Sequence, residues 1–175
     1  MSSRRAQIVL ATLLAAATAG CDVDTDNSPE PGGQGVKGAR VGETLTLEGQ
    51  GREMRVTVVS VLDPAPVSPR DEPEAGKRFV GIDLRLENTG DNTYEDAPFD
   101  GATLTTSEQV LGESTLASRG RCELGPRITI RPGERHQGCM LFEVPREAEL
   151  VTFEFSLSPG AASRRAGQWR LGADT

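Results

Sequence analysis

From Ala39 onward the apolar residues recur with a period of two rather than 3.6, the spacing of strands with one buried face. Leu45 and Leu47 face one way, with Thr44, Thr46 and Glu48 opposed. Met54, Val56 and Val58 alternate with Arg55 and Thr57. The phase then slips, because Val59 and Val61 are apolar too, as a β-bulge or burial on both faces would produce. Val80, Ile82, Leu84 and Leu86 alternate with Gly81, Asp83, Arg85 and Glu87 in the cleanest strand pattern of the chain, and Ala102 and Leu104 mark a weaker one. Ile128 and Ile130 lead into Arg131-Pro132-Gly133-Glu134, a turn in which Pro presets φ and Gly can take positive φ. Cys139 to Val144 is apolar on both faces and is expected at the centre of a sheet. Val151, Phe153, Phe155 and Leu157 alternate with Thr152, Glu154 and Ser156, and Trp169 and Leu171 close the pattern. No segment after residue 21 reads as a long amphipathic helix.

About eight short strands separated by Gly/Pro turns predict an all-β, antiparallel sandwich. Its expected core is Val56, Val80, Ile82, Leu84, Phe142, Phe153, Phe155 and Trp169. The stretch Asp63–Gly76 holds four prolines and is expected to be irregular. Asn88–Gly101 reads as a second long, acidic loop.

The N-terminus follows a different logic. Arg4 and Arg5 precede an uncharged run from Ile8 to Ala19, rich in Ala, Leu and Val. That run is shorter than the roughly 20 apolar residues needed to span a bilayer and has the size of a signal-peptide core. It ends in Thr18-Ala19-Gly20-Cys21, which resembles the bacterial lipoprotein box, with Thr18 where Leu is usual. Residues 1–20 are therefore read as a cleaved leader and Cys21 as the lipidated (palmitate-bearing) first residue of the mature chain. An ordinary secretory signal with an incidental Cys is the alternative. Residues 21–38 are rich in Asp, Gly and Pro and cannot bury enough surface to offset their ordering entropy. They read as a flexible tether, followed by a domain over 39–175. Asp22, Asp24 and Asp26 alternate as at the start of a calcium loop, but the Gly and Glu that an EF-hand requires are missing.

Charge and cysteines narrow the reading further. The chain carries −7. Loss of Arg4 and Arg5 with an acid-free leader takes the mature chain to −9, which argues against nucleic acid as a partner. With Cys21 assigned to lipid, Cys122 and Cys139 remain as a pair that outside the cytoplasm is expected to form a disulfide. It would close a loop of about 17 residues and contribute about 3 kcal/mol on the chain-entropy model. A redox-active or metal-thiolate pair is the alternative, although the spacing fits neither CxxC chemistry nor a zinc knuckle.

Several pieces in order carry a resemblance. They are Gly76-Lys77-Arg78-Phe79-Val80, Leu84-Arg85-Leu86-Glu87-Asn88-Thr89-Gly90, Arg131-Pro132-Gly133-Glu134, and Gly138 through Pro145. Together they resemble a domain-of-unknown-function family typified by a mycobacterial immunogenic secreted protein and common in lipoproteins. The resemblance spans roughly Val41 to Leu171. It implies an immunoglobulin-like β-sandwich of about seven to nine strands and an extracytoplasmic location, and it supplies no catalytic residues.

Chemistry is sparse. His136, the one histidine, reads as a solvated side chain beside the Pro-Gly turn. No nucleophile elbow accompanies it, and no Gly-rich phosphate loop is present. His136 with Met140 and Met54 could serve copper, although Met140 reads as core. Asp91, Asn92, Glu95, Asp96 and Asp100 could serve calcium, although a solvated acidic loop explains them as well. No cofactor is implied. The expected protein is a non-enzymatic binding module on the outer face of the cell membrane, anchored through Cys21. Its expected partner is an unidentified extracytoplasmic protein or cell-envelope ligand. A calcium- or copper-handling protein is the alternative.

Overall fold

In the computed structural model, residues 37–108, 111–115, 124–157 and 166–172 are described. The expectations for the leader, Cys21, Cys122 and most of the tether lie outside these residues. Among the described residues are eleven strands: β1 (Lys37–Arg40), β2 (Thr44–Gly49), β3 (Arg52–Leu62), β4 (Lys77–Asn88), β5 (Tyr94–Asp96), β6 (Ala102–Thr106), β7 (Leu111–Thr115), β8 (Ile128–Ile130), β9 (Arg135–Pro145), β10 (Leu150–Phe155) and β11 (Gly167–Arg170). A 3₁₀ turn spans Pro98–Gly101. Among these residues there is no α-helix, and no helix is long and apolar enough to cross a membrane.

Nine strands follow the order β1-β11-β10-β6-β7-β9-β4-β3-β2, while β5 and β8 form a separate ribbon. The long sheet folds over itself. β2, β3, β4 and β9 make one layer, and β1, β11, β10 and β6 make the other. β7 joins them, pairing with β6 at Leu104↔Gly112 and with β9 at Ser114↔Phe142. The result is the immunoglobulin-like sandwich. It has more strands than expected, because short β1, β5 and β7 lack a readable alternation. One pair, β1 with β11, is parallel. β1 also takes in Lys37 and Gly38, which had been read as tether. The acidic stretch Asn88–Gly101 is not a plain loop, since it holds β5 and the 3₁₀ turn.

Local sequence explains several details. The β2–β3 hairpin turns on Gln50 (φ 52°) and Gly51 (φ 71°), and positive φ at both central residues matches the right-handed twist of the strands. The phase slip after Val58 is a bulge: Val58 opposes Leu84 and Ser60 opposes Asp83, leaving Val59 extra. A second bulge leaves Val151 extra between Leu150 and Thr152. Val151 is therefore 43% exposed and not in the inward row with Phe153 and Phe155.

The main core lies between the layers. All eight residues expected there are fully buried, each contributing about 1.5–3 kcal/mol if aliphatic or aromatic. Phe142 meets Phe153 edge-on at 6.1 Å, and Phe153 in turn lies 6.1 Å from Trp169. The Trp169 indole Nε1 donates to the Glu43 carbonyl at 3.0 Å, tying β11 to the approach of β2.

A smaller apolar cluster sits apart from this core. Phe79, Cys139 and Leu141 pack there with Ala65, and Leu62 and Val67 lie against them. The proline-rich stretch between β3 and β4 thus crosses the sheet as a strap. That is why β9 is apolar on both faces.

Candidate functional site

Two ends of the sandwich gather polar side chains. At one end, Asn88 closes β4 and is fully buried. Its Nδ2 donates to the carbonyls of Asn92 (2.9 Å) and Ile130 (2.8 Å), and its Oδ1 accepts from Gly90 N (3.1 Å). Its backbone N–H donates to Glu134 O, and its carbonyl accepts from Gly133 N. One amide side chain thereby holds the β4–β5 loop, β8 and the Arg131–Glu134 turn together. Gly90 is required beside it, because a Cβ there would lie 2.9 Å from the Glu53 backbone nitrogen. Nearby, Arg52 donates to Asp96 at 3.1 Å and lies over the Tyr94 ring, 5.4 Å from its centroid. Tyr94 is buried, and burial followed by the Asp96 and Asp100 charges pushes its phenol well above the usual tyrosine range. An open groove of about 430 Å³ runs between the β2–β3 hairpin and Thr89–Asn92.

At the other end, Arg78 plays the comparable role. Its Nε and Nη2 grip the Asp63 carboxylate at 2.8 and 2.9 Å. The remaining donors reach the carbonyls of Pro145, Arg146 (2.7 Å) and Ala148 (2.9 Å). The hydrogen bond to Asp63 is the main reason the Arg78 pKa is raised further. With every donor engaged, this guanidinium is a clamp on the β9–β10 turn. It floors an open groove of about 620 Å³ whose lining includes Val61, Leu150, Leu171, Arg146, Glu147 and Glu149.

The residues considered for metals are not brought together. His136 lies within β9 opposite Leu86, half-buried, not in a loop beside the turn. Met140 opposes Ile82, whereas Met54 opposes Asn88 six residues further along β4. At the rise of an extended strand this is a separation of about 20 Å, and both thioethers are fully buried core. Asp96 is engaged by Arg52, Glu95 faces Arg127 at 3.8 Å, and the Asn92 amide donates to Gly51 O. Among the described residues no three His, Cys, Asp or Glu side chains group as metal ligands. Cys139 is 3% exposed, and its sulfur lies 3.7 Å from the Met140 carbonyl oxygen. Cys122 lies outside the described residues.

Sequence reading missed Asn88, Tyr94 and Arg78. Asn88 had a signal: an amide directly ending a clean alternation and followed by Thr-Gly. Arg78 had none, because three of its five acceptors are backbone carbonyls and the other two belong to Asp63, 15 residues away on another strand's exit.

Comparison with known proteins agrees with this architecture. The secreted protein MPT63 from Mycobacterium tuberculosis is similar at a TM-score of 0.55 and 13% identity, covering 77% of this chain and 97% of that one. The yjhA protein from Bacillus subtilis gives 0.53 at 16% identity, covering 77% and 99%. The ycdA protein from Bacillus subtilis, described as a lipoprotein, gives 0.54 at 15% identity, covering 71% of this chain and 39% of that one. No curated protein sequence matches the chain. Residues 41–166 match the family described as a domain of unknown function, DUF4352, and by that match over most of its length the chain belongs to that family.

Proposed function

We propose that the protein is a non-enzymatic interaction module held on the outer face of a bacterial membrane by lipid on Cys21. The observation that carries this reading is the run Thr18-Ala19-Gly20-Cys21 at the end of an apolar leader, ahead of a sandwich domain. Similar folds in a protein described as secreted and in one described as a lipoprotein support it. The partner is an extracytoplasmic protein or cell-envelope ligand met by loops and strand ends, the usual contact surfaces of such scaffolds. Cys122 and Cys139 pair in a disulfide, a reading supported by export and by the burial of Cys139.

Mass spectrometry of the mature protein tests the anchor. The expected product begins at a lipid-bearing Cys21, and Cys21→Ala should shift the protein from the membrane to the soluble fraction. A wild-type product that is soluble and begins elsewhere would sink the proposal. Capture of partners from native membranes with the anchored chain tests the module. Turnover of a small substrate by the purified chain would count against a non-enzymatic role.

A further inference from the structure

The two layers differ on their outer faces. On β2, β3, β4 and β9 the outward residues include Arg55, Arg85 and Arg135, but Glu48, Glu53, Asp83 and Glu87 lie among them. On β1, β11, β10 and β6 the register sets out two outward rows. Arg40, Arg170, Thr152 and Thr105 stand side by side in one, and Gly38, Gln168, Glu154 and Thr103 in the other. Ala39 and Trp169, one position before each arginine, are buried, so Arg40 and Arg170 point outward, and both are exposed. Glu154 is the one acid in these rows, and its Oε1 accepts from Gln168 Nε2 at 2.7 Å. At the corner after β1, the Glu43 carboxylate accepts from the Arg40 backbone N–H at 2.7 Å. Two like charges side by side on one sheet face are unfavourable in the free domain. The two exposed large apolar residues among the described ones belong to this same end of the layer. Val41 follows Arg40 and is 36% exposed, and Val151, displaced outward by its bulge beside Thr152, is 43% exposed. Leu171 N donates to the Val151 carbonyl, which holds the bulge against the strand that carries Arg170. Arginines with exposed apolar neighbours suit an anionic bilayer surface: guanidinium groups meet phosphates while methyl groups enter the headgroup layer.

We infer that this face of the domain, centred on Arg40 and Arg170, lies on the anionic phospholipid surface to which the chain is anchored. The inference rests on the lipid anchor proposed above. β1 is the first described strand after Cys21, and residues 22–36 between them extend no more than about 50 Å. The anchored domain therefore stays close to the bilayer, and a contact too weak to recruit free protein becomes intramolecular. The same lipid charge repels the acidic remainder of the chain, so the face poorest in acids is the one turned toward it. The opposite layer, with its acids interspersed, is left facing outward for a partner.

The test uses residues 21–175 carrying Cys21→Ala and an N-terminal histidine tag, held on vesicles by a nickel-chelating lipid. The N-terminus is then at the bilayer whether or not Cys21 carries lipid in the cell, so failure of the anchor and failure of the docked face are read separately. Arginines are modified with phenylglyoxal and located by peptide mass spectrometry. On vesicles containing phosphatidylglycerol, labelling of Arg40 and Arg170 should slow at least about fivefold relative to vesicles of phosphatidylcholine, because each basic side chain at an anionic surface contributes about that factor. Salt at about 0.5 M should remove the protection by screening. Arg85 and Arg135, on the other layer, should label alike on both lipids. Val151→Asp, at an exposed position outside the core, should restore labelling of both arginines. Equal labelling of Arg40 and Arg170 on the two lipids, or protection of Arg85 and Arg135 in their place, would overturn the docked face. Protection on phosphatidylcholine alone, accompanied by cross-linked dimers, would overturn it in favour of a second copy of the chain.

Discussion

Replacing Asn88 tests whether one buried amide holds an end of the sandwich together. Asn88→Ala deletes three side-chain hydrogen bonds and leaves the Ile130 carbonyl, paired inside the protein, without that donor. At about 1 kcal/mol net for each bond, with a further penalty for the stranded buried acceptor, the expected loss is about 3–4 kcal/mol. For a urea slope of about 1.5 kcal/mol/M, the midpoint should fall by about 2 M with the slope unchanged. Asn88→Asp is the sharper control. It keeps the shape but sets an acceptor against the carbonyls of Asn92 and Ile130, where Nδ2 had donated. At neutral pH it should destabilise at least as much as alanine. Urea unfolding followed by Trp169 fluorescence reads both variants, since the chain has one tryptophan and it is buried. A loss under about 1 kcal/mol for alanine, or an aspartate variant as stable as wild type, would refute the hub.

Tyr94 gives an alkaline prediction. Its folded pKa is raised above the unfolded value of 10.0, so its contribution is fully present below pH 10 and is lost as pH rises from there. Because the chain has one tyrosine, near-ultraviolet phenolate absorbance should stay low above pH 10 until unfolding, and Tyr94→Phe should flatten the decline in stability. Arg78→Lys keeps the charge but has fewer donors than the five now used. It should cost about 2–3 kcal/mol and lower the melting temperature, and unaltered melting would contradict the clamp. Gly101→Ala would set a Cβ 2.1 Å from the Ser156 carbonyl oxygen, so backbone must move; a loss of about 1–3 kcal/mol is expected by thermal unfolding.

Much of the fold was legible in the alternation. β3, β4, β9 and β10 were recognisable because a half-buried strand writes its burial into every second residue. The bulge after Val58 was visible as two adjacent apolar residues, while the one at Val151 was not, because Val151 extends the alternation smoothly and is still displaced outward. The copper ligands looked plausible as a set only in one dimension. The register places Met54 and Met140 six residues apart along β4.

By itself the sequence determined most of the strand segments, the turn at Pro132-Gly133 and the eight core positions. These are local: period, turn chemistry and apolar run length can be read within a dozen residues. Only the tertiary structure decided that β7 joins the layers, that β1 runs parallel to β11, and that the proline-rich strap shares an apolar cluster with Phe79 and Leu141. It also decided that Asn88 meets Ile130 across 42 residues of chain and that Arg78 meets Pro145 across 67. Alternation says which face of a strand is apolar. It does not say which strand lies beside it, and the partners of a buried amide or guanidinium are mostly carbonyls, which every residue carries alike.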